Sequence, residues 1–255
     1  MAVFPDAVGA GALWNAPLIS GPIELLWAHP APKGSQVAVV AAVSYWVGTA
    51  ALGDLTRKCW YGLTEMASLG VKAWGSGTAH GWTELFGILN PPKVKGKQIV
   101  RAQIAGGGLL AGKLARANSV AYTGADGFGA VTDAAGNSAG TQSVAATAVG
   151  AAKIVAAFGG NQPGLNSFNR DQRYLSNTTA ALLLGDATGT GSSLTFSTTR
   201  AKAGDWSALA VVINPADIVA TATGVLADPD IHTAGLRLPR PGVNRRTVFT
   251  AGPED

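Results

Sequence analysis

A short apolar run in the last quarter of the chain constrains the fold more than any other feature. Residues 205–214 read DWSALAVVIN, a run that is rich in β-branched side chains and short for a helix. Pro215 ends the run, because proline has no amide proton to donate to a β-ladder and restricts the residue before it. We therefore expect a core strand that is buried on both faces, with a β domain built around it.

Many comparable runs precede this strand, and together they predict an all-β chain. Gly, Pro, Asn and Thr turns separate about a dozen of them, a spacing typical of an antiparallel β-sandwich or jelly-roll-like domain. Residues 57–70 are expected to form a hairpin around Gly62. The other clear runs are residues 23–28, 37–47, 81–88, 98–105, 119–122, 172–175, 180–186 and 192–198.

Two of these runs alternate with the period of two that distinguishes the faces of a strand. In residues 81–88, one face of the strand carries Trp82, Glu84 and Phe86 and the other carries Thr83 and Leu85. In residues 98–105, one face carries Ile99, Arg101 and Gln103 and the other carries Val100, Ala102 and Ile104. Two other stretches are less regular. Residues 124–140 are rich in Gly, Ala, Asp and Asn and are expected to form a loop. The alanine content of residues 144–157 leaves strand and helix both open.

The apolar pattern divides the chain into three parts. Residues 1–22 are punctuated by Gly, Ala and Pro and are interpreted as an N-terminal arm that docks on something. Residues 23–214 form the β-sandwich domain. Residues 215–255 have little core of their own, and we expect an extended C-terminal arm that lies on a neighbouring subunit. Its candidate docking residues are Leu236, Leu238, Arg240, Arg245, Arg246 and Phe249.

The composition favours assembly and argues against several other classes of function. Charged residues make up 13% of the chain, against roughly 25% in an average soluble protein, so much of the surface is neutral. Such a surface favours packing against copies of the same chain, and we expect a homo-oligomer, with a trimer favoured. The densest lysine cluster, residues 91–97, is interpreted as a solvated hairpin tip, so no nucleic-acid partner is expected.

Cysteine usage and hydropathy limit the options further. Cys59 is the one cysteine, so an intrachain disulfide or a cysteine-based metal site is excluded. The sequence has no recognisable secretory signal, and its longest apolar stretch is short for a membrane span, so no membrane insertion is expected.

The order of motifs along residues 23–214 resembles the β-sandwich domain of minor tail proteins from long-tailed phages (siphophages) of actinobacteria. The motifs are WYGLTEMASLG at 60–70, WTELFGI at 82–88, SVAY at 119–122, AFG at 157–159, QRY at 172–174, GDA at 185–187, SSLTFST at 192–198 and WSALA at 206–210. Each motif alone is a fold-forming pattern, and their shared order carries the resemblance.

The resemblance implies a non-enzymatic structural role in a virion. It predicts a minor tail protein at the tail tip that is assembled in the host cytoplasm with other phage tail proteins. It leaves contact with host-envelope glycan open, and a capsid decoration protein remains an alternative of the same class. It supplies no catalytic residue and no cofactor.

One catalytic pattern needs separate consideration. Residues 136–140 read GNSAG and match the G-x-S-x-G nucleophile elbow, with Ser138 as the nucleophile. Asp205 and His232 follow in the order of a serine esterase. The elbow requires a buried strand directly before it and a helix after it, whereas residues 131–135 read as a polar loop. We therefore treat the esterase as a remote alternative.

Aromatic residues suggest carbohydrate binding as another alternative function. Trp74 and Trp82 flank a Gly-rich turn that also contains His80. If these rings are exposed, they can stack on sugar faces as in a lectin-like module. If they are buried, they serve as core or subunit-interface anchors.

Metal binding is not expected. The histidines His29, His80 and His232 form no closely spaced pair of the kind that binds zinc. The aspartates in Gly- and Asn-rich segments are interpreted as turn residues rather than Ca²⁺ ligands. These are Asp126, Asp133, Asp171 and Asp186.

Overall fold

The computed structural model describes residues 1–19, 22–48, 55–75, 80–106 and 110–216. This part of the chain contains seventeen β-strands and no helix, which confirms the prediction of an antiparallel all-β sandwich fold. No helix within it has the length and hydropathy of a membrane span. The predicted C-terminal arm, including its six docking residues and His232, lies outside the described residues, apart from its first two positions.

The strands follow one another in the chain as β1 (Phe4–Val8), β2 (Ala12–Ile19), β3 (Ile23–Pro30), β4 (Ala38–Gly48), β5 (Leu55–Tyr61), β6 (Thr64–Trp74), β7 (His80–Leu89), β8 (Lys97–Gly106), β9 (Leu110–Thr123), β10 (Ala125–Gly136), β11 (Gly140–Thr147), β12 (Lys153–Gly160), β13 (Leu165–Asn166), β14 (Asp171–Ser176), β15 (Ala181–Thr188), β16 (Ser193–Arg200) and β17 (Trp206–Pro215).

The strands form three antiparallel sheets. The first has the order β1-β9-β4-β7-β6-β5-β8-β3, and β2 also pairs with β9. The second has the order β10-β17-β12-β15-β14, and the third has the order β11-β16-β13. Three hydrophobic clusters fill the interior of the first sheet, the space between the first and second sheets, and the space between the second and third. The sheets therefore stack as layers.

The first sheet is nearly closed, because a short connection joins its two ends. Gly9 donates its amide to the carbonyl of Ser119 on β9 at 2.8 Å, and Ala10 donates to Ala28 on β3 at 2.9 Å. A Cβ at Gly9 would lie 2.8 Å from the Ser119 hydroxyl and 2.9 Å from Cδ1 of Trp27. Only glycine lets the backbone approach both strands this closely.

The N-terminal residues are part of this sheet. β1 pairs with the C-terminal end of β9, and β2 pairs with the part of β9 before it. Ala12 and Trp14 pack against the interior cluster. Residues 1–19 therefore belong to the folded domain and do not form the separate arm suggested by their Gly and Pro content, because β1 and β2 pair with β9.

β17 is a core strand that is buried on both faces, as its sequence predicts. Leu209, Val211 and Ile213 face the first sheet, whereas Ala208 and Ala210 face the third. The predicted hairpin around Gly62 is also present as β5 and β6, and Gly62 has the positive φ of 62° that its turn requires.

The alternation of β7 and β8 is confirmed as well. Trp82 and Phe86 lie inside the first sheet, and Leu85 lies on its outer side. In β8, Val100, Ala102 and Ile104 fill the interior, and their neighbours point outward.

Two expectations need correction, and one open alternative is resolved. Residues 125–136 form β10, which pairs along its length with β17, so most of the predicted loop is a strand. The stretch 144–157 consists of the end of β11, a turn and the start of β12, and it contains no helix. The lysine-rich segment is not a hairpin tip, because β7 and β8 are not neighbours: β7 pairs with β4 and β6, and β8 with β5 and β3. Lys93, Lys95 and Lys97 are nevertheless exposed.

Candidate functional site

The proposed aromatic glycan site lies in the core. Trp74 is 2% exposed and Trp82 is fully buried. The indole of Trp74 lies against Gly81, where a Cβ would collide with it. The ring of half-buried His80 is 4.8 Å from that of Trp82. The glycan-contact interpretation of the two indoles is therefore wrong, because neither presents a face that a sugar could reach, and both serve as core anchors.

The candidate nucleophile does not lie in an elbow. Ser138 is exposed in the turn between β10 and β11, so the chain runs from strand to strand and not from strand to helix. Asp205 accepts a hydrogen bond from Asn161 Nδ2 at 3.0 Å. The segment before Ser138 is a strand and not the predicted loop. The segment after Ser138 is also a strand, whereas a nucleophile elbow requires a helix at that place.

A buried carboxylate occupies the interior of the first sheet. Glu84 on β7 accepts hydrogen bonds from the Tyr45 hydroxyl at 2.8 Å, Arg57 Nε at 2.9 Å and the Ser68 hydroxyl at 2.7 Å. Burial, and then the negative charge of Glu84, holds the pKa of Tyr45 well above its ordinary value. Tyr45 therefore remains a donor, and the network joins β4, β5, β6 and β7.

A serine–histidine pair lies at the junction where the first sheet closes. The Ser119 hydroxyl is 2.7 Å from His29 Nδ1 and accepts the indole proton of Trp27 at 2.8 Å. Burial lowers the pKa of His29 to about 4, so its imidazole is neutral at pH 7. Such a pair can activate a nucleophile. Here both side chains are fully buried and hold β3 to β9, which is a structural role.

An ion cluster joins the first and second sheets. Asp186 on β15 is fully buried and contacts Lys153 Nζ at 3.2 Å and the Tyr122 hydroxyl at 3.0 Å. Arg173 donates to both of its oxygens, through Nε at 2.5 Å and Nη2 at 3.0 Å. These hydrogen bonds raise the pKa of Arg173. Asp186 is therefore the anchor of an ion cluster and not a turn residue, because strand pairing places it between the two layers.

The outward surface of β3, β8 and β5 is the best candidate for binding. The second sheet covers the outer sides of β4, β7 and β9. In the described part of the chain, no strand covers the outer sides of β3, β8 and β5. Leu26 is 57% exposed and Ile99 is 50% exposed, and they occupy diagonal positions on the paired strands β3 and β8. The fully exposed Leu63 lies in the β5–β6 turn, next to Gly62, whose amide donates to the carbonyl of Ile99. We call this surface the β3–β8–β5 face.

Polar groups of both signs surround the apolar residues of this face. The guanidinium carbon of Arg101 lies 4.0 Å from the ring centroid of the half-buried Trp60. Lys58 pairs with Glu65 at 3.2 Å. Gln103 donates to Glu24 at 2.8 Å. An apolar centre with a polar rim and an aromatic–arginine contact is the usual composition of a protein interface.

Sequence reasoning identified the alternation of β8 but not this face. Ile99 and Arg101 were correctly set apart from the buried residues of the strand. Arg101 pairs with Leu26, which lies 75 positions earlier in the chain, and with Trp60, which lies 41 positions earlier. Only the pairing of β3 and β5 with β8 brings the four side chains together.

Comparison with known proteins adds little. No protein-family model and no curated protein matches the sequence. A solved structure with some likeness is a conserved protein of unknown function from Pseudomonas aeruginosa PAO1. It is 12% identical, and the match covers 84% of this chain and 100% of that chain, with a TM-score of 0.30. A likeness at this level carries no argument about function.

Proposed function

We propose that this protein is a non-enzymatic structural protein of a phage virion, a minor tail protein that assembles with other copies of itself through the β3–β8–β5 face. The resemblance of residues 23–214 to the tail proteins supports the virion role. The observation that carries the assembly mechanism is the exposed apolar surface of Leu26, Ile99 and Leu63, on a side of the first sheet that the second sheet does not cover in the described part of the chain.

The energetics of the face favour association. Burial of apolar surface contributes about 25 cal/mol per Å². Trp60 and Arg101 are of the residue types that dominate interface energies, and they are already packed together, so little side-chain entropy is lost on binding. An exposed apolar group of this kind, next to an aromatic–arginine pair, marks an interaction surface.

The charges of the face favour a second copy of the same chain as the occupant. The face carries three positive side chains, Lys58, Lys97 and Arg101, and two negative ones, Glu24 and Glu65. Two such faces can meet with opposite charges opposed. A strongly acidic or basic partner would meet like charges on part of the surface.

Three measurements test this function. Light scattering behind a sizing column gives the native mass, and we expect a defined oligomer. Mass spectrometry of purified virions of the phage that encodes the chain is expected to detect it, and immunogold labelling to place it at the tail. A monomer at every concentration contradicts the assembly mechanism, and absence from virions contradicts the virion role. Labelling of the head would favour the capsid decoration alternative.

A further inference from the structure

We propose that Arg200 anchors a binding site for a small carboxylate, at one end of the space between the second and third sheets. This site is separate from the β3–β8–β5 face and does not depend on the function proposed above. Arg200 is the last residue of β16, where it pairs with Gly140 of β11 and Leu165 of β13. It is 2% exposed.

The guanidinium of Arg200 is buried and forms no salt bridge with any residue that the structure describes, although the negative charge of nearby Asp205 partly offsets the effect of burial on its pKa. Its Nη1 reaches the backbone carbonyl of Asp205 at 3.4 Å, whereas Nε and Nη2 have no hydrogen-bond partner. The carboxylate of Asp205 accepts instead from Asn161. No carboxylate in the described part of the chain forms a salt bridge with Arg200. A buried charge of this kind is costly until an anion pairs with it.

The unpartnered Nε and Nη2 of Arg200 form an edge that is suited to bind a carboxylate, as Arg173 shows. In Arg173, the Nε and Nη2 edge donates two parallel hydrogen bonds to the carboxylate of Asp186. In Arg200, the same two nitrogens are the unpartnered ones. This edge matches a planar carboxylate in a bidentate geometry. Burial lowers the pKa of Arg200 to about 10, so the side chain still carries its charge at neutral pH.

Two further polar side chains lie at the same end of the layer. Gln142 is fully buried, and neither its Nε2 nor its Oε1 has a partner. It lies diagonally across the β11–β16 pair from Arg200, on the same face. Trp206 on β17 pairs with Gly160 of β12 on one side and Gly136 of β10 on the other, and its unpartnered Nε1 lies over Gly136. The guanidinium lies over Gly160, where a Cβ would be 2.7 Å from Nη2.

The donor set indicates the class of ligand. Arg200 offers one positive charge and two parallel N–H groups, and the Gln142 amide offers both a donor and an acceptor. A monoanionic carboxylate with a neighbouring hydroxyl or amide would satisfy all of these groups. A phosphate dianion would leave one negative charge uncompensated in a buried site. Three exposed connections, residues 137–139, 161–164 and 201–205, surround this end of the layer.

Thermal unfolding of the full chain tests the site. The probes are sodium acetate, glycolate and benzoate at constant pH and ionic strength, with sodium chloride and phosphate for comparison. A ligand that binds the folded state raises the unfolding midpoint with increasing concentration. We expect at least one carboxylate to do so, and Arg200→Lys, which keeps the charge but loses the fork, to weaken its binding at least about 10-fold.

Arg170→Lys is the matched control. Arg170 is an exposed arginine whose Nε and Nη2 donate to the carbonyl of Thr195, and we expect its replacement to leave ligand binding unchanged. If Arg200→Lys does not fold, Gln142→Leu provides the same comparison and is also expected to weaken binding. The proposal is overturned if no carboxylate stabilises the protein, if phosphate stabilises it equally, or if neither Arg200→Lys nor Gln142→Leu changes the effect.

Discussion

The indole N–H of Trp27 donates to the hydroxyl of Ser119 at 2.8 Å, and this hydrogen bond connects the two ends of the first sheet. The two residues lie 92 positions apart in the chain. The imidazole of His29 contacts the same hydroxyl from β3. One serine on β9 therefore holds two side chains of β3, and the closure of the sheet depends on it.

We expect Ser119→Ala to destabilise the protein by roughly 1–3 kcal/mol, because it leaves the buried Trp27 Nε1 and His29 Nδ1 without a partner. Urea unfolding followed by tryptophan fluorescence measures the change. Ser143→Ala, at an exposed position on β11, is the control and is expected to change stability by less than about 0.5 kcal/mol. Equal stability of the two variants would show that the bridge is unimportant.

The lowered pKa of His29 predicts a specific pH dependence. The folded-state pKa is about 4, against 6.5 for the unfolded chain, so the unfolded state binds the additional proton between these values. Stability from this group is fully present above pH 6.5 and falls as the pH is lowered towards 4, by up to about 1.4 kcal/mol per pH unit. Unfolding free energies from pH 4.5 to 7.5 should show a flatter profile for His29→Gln. Parallel profiles would contradict the assignment.

The ion cluster at Asp186 should respond to mutation far more than an exposed ion pair. Asp186→Ala leaves the charges of Lys153 and Arg173 without their buried partner, and we expect a loss of about 3–5 kcal/mol. The pair of Lys72 and Asp133 at 2.6 Å is well exposed, so Asp133→Ala should cost less than about 1 kcal/mol. Denaturant unfolding of both variants checks the contrast, which a similar loss in the two would contradict.

The end of β17 defines where the chain can be shortened. Ala216 donates to the carbonyl of Gly124, and the N-terminal ammonium donates to Ala216. A chain of residues 1–216 should therefore keep its fold and show the circular dichroism spectrum of a β-sheet protein. If the C-terminal residues reach a neighbouring subunit, as their sequence indicates, this chain will have a lower native mass than the full chain. The same oligomer would exclude the arm mechanism.

Some of the fold could be predicted from local sequence, and some could not. β17 and the hairpin at Gly62 were predictable, because an apolar run and a turn glycine are local signals. β10 was missed because its small residues have low strand propensity. Its pairing with β17 overrides that propensity and needs small side chains: a Cβ at Gly129 would lie 3.1 Å from Val212 Cβ.

The candidate sites illustrate the same limit. The Gly-rich turn that ends at Gly81 left open whether Trp74 and Trp82 are exposed, but this glycine is needed because the indole of Trp74 packs directly on it. A glycine that permits close approach and one that permits flexibility look the same in a sequence. The β3–β8–β5 face depends on which strands the second sheet leaves uncovered, and local sequence carries no signal for this.

The measurement that tests the account most directly is the native mass of a variant with Leu26→Ser and Ile99→Ser. Both side chains are exposed, so the fold should be retained, and light scattering should find a monomer where the unaltered chain forms an oligomer. Val149→Ser removes an equally exposed apolar side chain from the β11–β12 connection and should leave the oligomer intact. An oligomer of unchanged mass in the double variant would contradict assembly through the β3–β8–β5 face.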